Sequence, residues 1–248
     1  MSSALSSRLS PAQRSAFDEA GYLVLADYLR LDELEVLRSE SDAAVADAAA
    51  RLERNGASQE GLSVLGQRYY VAGRSRGSSA LRQLLLGRLG ATCRDLLAPK
   101  AYLFTDVFVC KEPHQRVNAC WHQDYSYLAY FYPGRFQPNI SAWLALDDVD
   151  EENGALQVMP FSAGGPRVPV AHHLDRDWNG DDVVDFGSAP RQVLPVRAGT
   201  LVLMSGLLAH WSGPNRSTRR RRAYLVQYSP APVVVDGEPI EQAVPVPG

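Results

Sequence analysis

The tripeptide His122-Gln123-Asp124, within ACWHQDYSY, sets an imidazole and a carboxylate two positions apart. In an extended segment side chains alternate between two faces, so both groups aim at one side and can share one metal ion. With a second imidazole from elsewhere they make the two-histidine, one-carboxylate facial set that holds Fe(II) and leaves positions open for a co-substrate and oxygen. Gln123 then faces the other way, in a supporting or structural role. The tripeptide occurs often by chance, so the remaining ligand has to carry the reading. Of the five histidines, His114, His172, His173 and His210 are left. His114 sits beside Pro113, and His172 and His173 are neighbours in a loop-like stretch, where only one could face any given site. His210, in GTLVLMSGLLAHWSGPN, follows a buried strand and is the candidate. A core histidine bonded to a backbone carbonyl is the alternative for it.

Downstream of His210, GPNRST reads as a turn. A hairpin centred on Asn215-Arg216 sets Arg221 opposite His210, with Ser212 on the same face. A planar guanidinium and a hydroxyl donor suit the distal carboxylate of 2-oxoglutarate. In that register Arg219 and Arg221 face one way and Arg220 and Arg222 the other, so a slip of one residue transfers the role to Arg220 or Arg222. A solvated basic run is the alternative for all four.

These groups need a rigid frame, and 248 residues that are 46% hydrophobic suffice for one globular domain over residues 1–248. N-terminal helices over 10–97 are expected to pack on a β core over 100–230. Ser10, Pro11 and Gln13 form a capping-box start before Phe17. GYLVLADYL reads as a buried strand, a long helix opens at Asp32 and ends near Asn55-Gly56, and residues 80–97 read as another helix. Strand-like runs follow: YLFTDVFVC, ISAWLALDDV, ALQVMP, QVLPVRAGTLVLM and RAYLVQYSP. The order predicts an α+β, mainly β chain with flanking helices around a sandwich or barrel. Residues 125–138 and 163–190 read as long loops. In the first, Tyr125, Tyr127, Tyr130, Phe131, Tyr132 and Phe136 suit either a wall for an apolar or aromatic molecule or plain core.

A net charge of −3 offers no field for nucleic acid, and no window reaches the roughly 18 apolar residues of a membrane span. The first residues lack a signal-peptide core, and three cysteines without CxxC spacing point to the cytoplasm. The expected partner is a small-molecule substrate, and the expected state a monomer or homodimer.

The strings WHQDYSY, SAWLALDDVDEENGALQVMP and VRAGTLVLMSGLLAHWSGPNRSTRRRRAYLVQY, with the opening LSPAQRSAFDEAGYLVLADYLRLDEL, resemble the phytanoyl-CoA dioxygenase family of Fe(II)/2-oxoglutarate oxygenases. The specific parts are HxD, the distal histidine, and an arginine eleven residues after it followed by a basic residue and alanine, met by Arg221, Arg222 and Ala223. The resemblance implies a double-stranded β-helix, the jelly-roll core of cupin-like proteins. It implies Fe(II) at His122, Asp124 and His210, 2-oxoglutarate at Arg221 and Ser212, and O2 as oxidant. Lys111, in FVCKEP, resembles a family lysine that helps bind the co-substrate; an exposed strand-end lysine is the alternative. Many members read PGSH where this chain has Pro160-Phe161-Ser162-Ala163, so a common family histidine is absent. Asp124 is retained, which disfavours the related halogenases, where a small residue frees a site for chloride.

No basic patch outside residues 219–222 is available for the phosphates of a CoA thioester. Many relatives tailor secondary metabolites, and the expected substrate is a small, apolar or polycyclic natural-product intermediate. Its hydroxylation, ring closure, epimerisation or desaturation would each fit. Two other classes compete: a non-catalytic cupin-like metal- or ligand-binding barrel, and a zinc hydrolase, which leaves Arg221 and Ser212 unused.

Overall fold

The computed structural model describes residues 8–97, 99–115, 120–126, 138–171, 186–235, 238–239 and 243–247. Helix α1 (Pro11–Ala20) begins as its sequence dictates: the Ser10 hydroxyl accepts from the Gln13 N–H, and the Gln13 side chain accepts from the Ser10 N–H at 2.9 Å. Gly21, at φ 82°, ends it. After β1 (Tyr22–Leu25), α2 (Leu31–Arg54) turns Leu34, Leu37, Ser41, Ala44, Val45, Ala48 and Leu52 inward at helical spacing. Three short strands follow, β2 (Gln59–Glu60), β3 (Ser63–Val64) and β4 (Arg68–Ala72). Helices α3 (Ser79–Leu84) and α4 (Gly90–Leu97) are joined by a π-helical turn over Leu85–Leu89.

The remaining strands are β5 (Tyr102–Lys111), β6 (Ile140–Ala145), β7 (Leu156–Val158), β8 (Gln192–Leu194), β9 (Leu201–Ser205), β10 (His210–Ser212), β11 (Arg221–Ser229), β12 (Val234–Val235), β13 (Glu238–Pro239) and β14 (Val244–Pro245). A large antiparallel sheet runs β1-β9-β6-β11-β5-β4-β3-β2, with β14 also on β5, and a small one runs β10-β7-β8. The jelly-roll core expected from the sequence is present. Two expectations are corrected. Residues 10–97 are not a helical layer alone, because β1 to β4 join the large sheet; the β-prone Arg68–Ala72 pairs along its length with β5 and at Arg68 with β3. The strand in GYLVLADYL is an edge strand with Val24 exposed, not a buried one.

Alternation along the strands builds two layers. Ile140, Ala142 and Leu144 of β6, Leu201 and Leu203 of β9, and Tyr224, Val226 and Tyr228 of β11 pack on the helices. The residues between them, Trp143 and Ala145, Val202 and Met204, and Ala223, meet Leu156, Val158 and Leu194 of the small sheet. The same interior face carries polar groups, since Gln227 pairs with Ser141, and Arg221 with Lys111, which in turn pairs with Arg68.

Just outside the β7–β10 ladder of the small sheet, an added Cβ on Gly154 (φ 87°) would lie 2.4 Å from the Gly213 carbonyl oxygen. Gly154→Ala is therefore expected to cost about 1–3 kcal/mol, from the backbone conformation and the displacement together. Thermal melting checks this, and an unchanged midpoint would mean that the approach is not constrained. No helix among the described residues is long and apolar enough to cross a membrane.

Candidate metal centre

His122 and His210 are joined by a two-way backbone bridge: each N–H donates to the other's carbonyl, at 3.0 and 2.9 Å. Directly paired residues in an antiparallel ladder share a side, so both imidazoles stand on one face, with ring centroids 4.2 Å apart. Asp124 reaches the same point differently from the strand alternation expected of HxD. The chain leaves the bridge after His122 and turns into a helical start at Tyr125, which brings Asp124 Oδ1 to 3.4 Å from His122 Nε2 and 3.7 Å from His210 Nε2.

The three donor atoms lie within 4.8 Å of one another. Metal–ligand bonds of ~2.1 Å at right angles put neighbouring donors about 3 Å apart, so the set fits one divalent ion after a small contraction. Tautomers agree with that use. Nδ1 of His122 lies 2.7 Å from the Cys120 carbonyl and Nδ1 of His210 lies 2.9 Å from the Leu208 carbonyl. A carbonyl can only accept, so each neutral ring carries its proton on Nδ1 and turns the Nε2 lone pair toward Asp124. Without a metal and with both rings protonated, burial resists ionisation of Asp124, but the His210 and His122 charges and the hydrogen bonds from His122 and Ser141 outweigh it and hold the carboxyl well below its ordinary range.

A support layer that the sequence did not reveal fixes this carboxylate. Ser141 Oγ donates to Asp124 Oδ2 and accepts from Gln227 Nε2 at 3.0 Å. Gln123 faces away, as expected, and its buried amide ties Val168, Val170 and Leu207 together. Ser141→Ala should weaken iron binding by roughly 10- to 100-fold while leaving the fold intact, as for other groups that orient a ligand. Metal titration with a competing chelator reads it; unchanged affinity would mean that Asp124 is oriented without Ser141. His114 is exposed, with φ 57°, and takes no part in the triad; His172, His173 and the aromatic stretch from Tyr127 to Phe136 lie outside the described residues.

The hairpin expected to pair His210 with Arg221 does not form. His210 pairs with Val158 and His122 in the small sheet, while Arg221 pairs with Lys111 in the large one. Residues 213–218 carry the chain from one sheet to the other, and Asn215 holds that crossing: its amide donates to the Lys111 and Arg219 carbonyls and accepts from the Ser217 N–H and hydroxyl. Arg221 nevertheless meets Ser212, through its length rather than through register. Its Nη2 donates to Ser212 Oγ at 2.6 Å and to the Gly154 carbonyl at 3.0 Å. Arg221 is 1% exposed, and its Nε and Nη1 have no hydrogen-bond partner among the described residues.

Lys111 is fully buried, not an exposed strand-end lysine. Its ammonium donates to Ser212 Oγ and to the carbonyls of Ser212 and Gly213, so it clamps β10 and presents the Ser212 hydroxyl. Burial, with the Arg221 and Arg68 charges alongside, pulls it well below its ordinary value. The other arginines are spent on acids. Arg219 pairs with Asp150, Arg220 with Glu112 and Asp42, and Arg222 with Asp147 and Asp42. Of the four, Arg221 alone points into the barrel.

A model of the phytanoyl-CoA dioxygenase (PhyH) family matches residues 17–223, and the chain belongs to that family. It is thereby an Fe(II)/2-oxoglutarate-dependent oxygenase by class. Phytanoyl-CoA dioxygenase domain-containing protein 1 of Bos taurus is 26% identical, over 87% of this chain and 88% of its own length. Among solved structures, the non-heme alpha ketoglutarate dependent carbocyclase SnoK from nogalamycin biosynthesis shares the fold at a TM-score of 0.70 and 24% identity, covering 94% of both chains. EvdO2 from Micromonospora carbonacea var. aurantiaca, complexed with 2-oxoglutarate, gives a TM-score of 0.68 and 21% identity, over 94% of this chain and 96% of that one.

Proposed function

We propose that this protein holds Fe(II) on His122, Asp124 and His210, anchors 2-oxoglutarate on Arg221 and Ser212, and oxidises a C–H bond of a small apolar or polycyclic natural-product intermediate. The observation that carries this reading is the buried Arg221 guanidinium, with two nitrogens unmet, beside Ser212, which stands two residues after His210 on the same face of β10. A zinc hydrolase has no use for that group, and a dicarboxylate co-substrate does. Bound iron and 2-oxoglutarate supply the oxidising chemistry, in which O2 accepts two electrons from decarboxylation of the co-substrate to succinate and two from the substrate.

The chain's own residues supply position. Arg221 and Ser212 fix one end of the co-substrate, and Trp143, with the Arg221 guanidinium 5.7 Å from its ring centroid, forms the apolar wall beside it. Lys111 holds Ser212 in place, while Ser141 and Gln227 hold Asp124. Orientation of this kind is the protein's share of the catalysis. Arg219, Arg220 and Arg222 are each taken up by an acid partner, so this basic run offers no free cluster for the phosphates of a CoA thioester, which favours a natural-product substrate. SnoK and the epimerase SnoN, both named from nogalamycin biosynthesis, support the same class. The cytoplasm suits Cys93, Cys110 and Cys120, none of them in a disulfide, and a monomer or homodimer is the proposed state.

The test is spectroscopic. Fe(II) and 2-oxoglutarate added without oxygen should produce a visible metal-to-ligand charge-transfer band in the unaltered protein. Its absence would sink the oxygenase reading in favour of a binding barrel.

A further inference from the structure

Before the first residue of β6 the ladder continues for one step. Gly206 N–H donates to the Asn139 carbonyl at 2.8 Å, next to the Ile140–Ser205 pair. Asn139 therefore stands opposite Gly206, and alternation aims its side chain at the interior face shared by Ser141 and Trp143. An added Cβ on Gly206 would lie 1.9 Å from Asn139 Oδ1, so only glycine admits the amide there. The Gly206 carbonyl in turn accepts from the N–H of Tyr125, the residue after Asp124. Asn139 is 2% exposed, yet neither Nδ2 nor Oδ1 has a hydrogen-bond partner among the described residues. A buried amide unmet at both ends weakens the ligand-free fold, and a function is the usual reason to keep it.

Its place on the face indicates which function. From the Arg221–Lys111 pair the interior positions run through Ala145 and Trp143 to Ser141, which bonds Asp124, and then to Asn139. Asp124 is thus held between the proposed co-substrate anchor and Asn139, which lies about 7 Å further along the strand than Ser141. That is the side left for the molecule to be oxidised. A neutral amide beside an ionised Asp124 disfavours an anion, and a group that both donates and accepts would satisfy both of its ends.

We infer that Asn139 is a specificity-determining residue that binds a neutral hydroxyl of the substrate, Nδ2 donating to it and Oδ1 accepting from it. This rests on the oxygenase reading for its meaning but not for its measurement. Phenol and toluene, alike in shape and different in the hydroxyl, are the probes, titrated calorimetrically without oxygen into protein loaded with Fe(II) and 2-oxoglutarate. The unaltered protein should bind phenol ~10-fold or more tightly than toluene, and Asn139→Ala and Asn139→Leu should lose that preference. Both variants should keep the charge-transfer band and melt no more than about 2 °C below the unaltered protein, since no internal hydrogen bond is lost, and Asn139→Leu should melt higher, because it removes the unmet amide.

Equal affinities, no binding of either probe, or a preference that survives in both variants would overturn the proposal. So would a fall of many degrees in both melting points, which would make the amide structural. A missing charge-transfer band with the phenol preference intact would instead remove the oxygenase reading and leave Asn139 as part of a ligand pocket.

Discussion

His210→Ala should abolish stoichiometric iron binding and lower 2-oxoglutarate turnover by roughly 10³-fold or more, with little change in the metal-free melting point. The two effects separate because His210 does two unrelated jobs. Its backbone N–H and carbonyl bridge His122, and alanine keeps both bonds. Its ring supplies one of three donor atoms, and nothing else among the described histidines stands near enough to substitute. Loss of the ring leaves Asp124 and His122 as a two-donor site, which no longer fixes the remaining coordination positions. Iron content after desalting and succinate release measure the result. A variant that kept one iron per chain would move the metal elsewhere and take the proposed function with it.

How much of this was legible in the sequence depends on the range of the signal. Long strands and helices were, because α2 carries an apolar period of 3.6 and β5, β6, β9 and β11 are continuous strand-like runs of five to ten residues. The two-residue strands β2 and β3 are too short to carry a period, and β4 is held by pairing with β5 rather than by its own pattern. His122, Asp124 and His210 were legible by residue type and scarcity, since only five histidines compete. Arg221 was reached by a wrong route. Turn residues such as Gly213, Pro214 and Asn215 say that the chain bends, but not whether it returns to the same sheet or crosses to another; tertiary bonds from Asn215 decide that. Parity along β11 survives the error, which is why Arg221 rather than Arg220 or Arg222 faces inward.

Ser141, Gln227 and Asn139 had a weaker signal. Each is a polar residue in or beside a strand that is otherwise apolar, and alternation puts Ser141 on the face of Trp143 and Ala145. What it supports is visible only once register sets it opposite Gln227 and places Asp124 above it. The aromatic wall expected from residues 127–136 lies outside the described residues and stays a sequence expectation.

Arg221→Met should change stability in opposite directions with and without co-substrate. Arg68, Lys111 and Arg221 stand side by side on β4, β5 and β11, each at most 2% exposed, and neither Lys111 nor Arg221 has an ion pair with a carboxylate among the described residues. Burial pulls the Arg221 guanidinium below its ordinary value, a sign that its charge is costly in the ligand-free protein. Replacing it with an apolar side chain of similar length removes a buried cation and two nitrogens, Nε and Nη1, whose three N–H bonds are unmet among the described residues, and should stabilise the ligand-free protein by about 1–4 kcal/mol. Ser212 keeps its bonds to Lys111 and Gly154, so β10 stays in place. The same change deletes the fork that the distal carboxylate needs, and should weaken 2-oxoglutarate binding by about 2–5 kcal/mol, or ~30- to several thousand-fold. Melting curves of metal-free protein with and without millimolar 2-oxoglutarate read both effects independently of iron. An arginine that merely held the two sheets together would give the reverse: a lower melting point in the variant and an unchanged shift with 2-oxoglutarate. In that case the co-substrate would have to be anchored by another cation on this face, and Lys111, already committed to Ser212 and Gly213, could serve only by giving up those bonds.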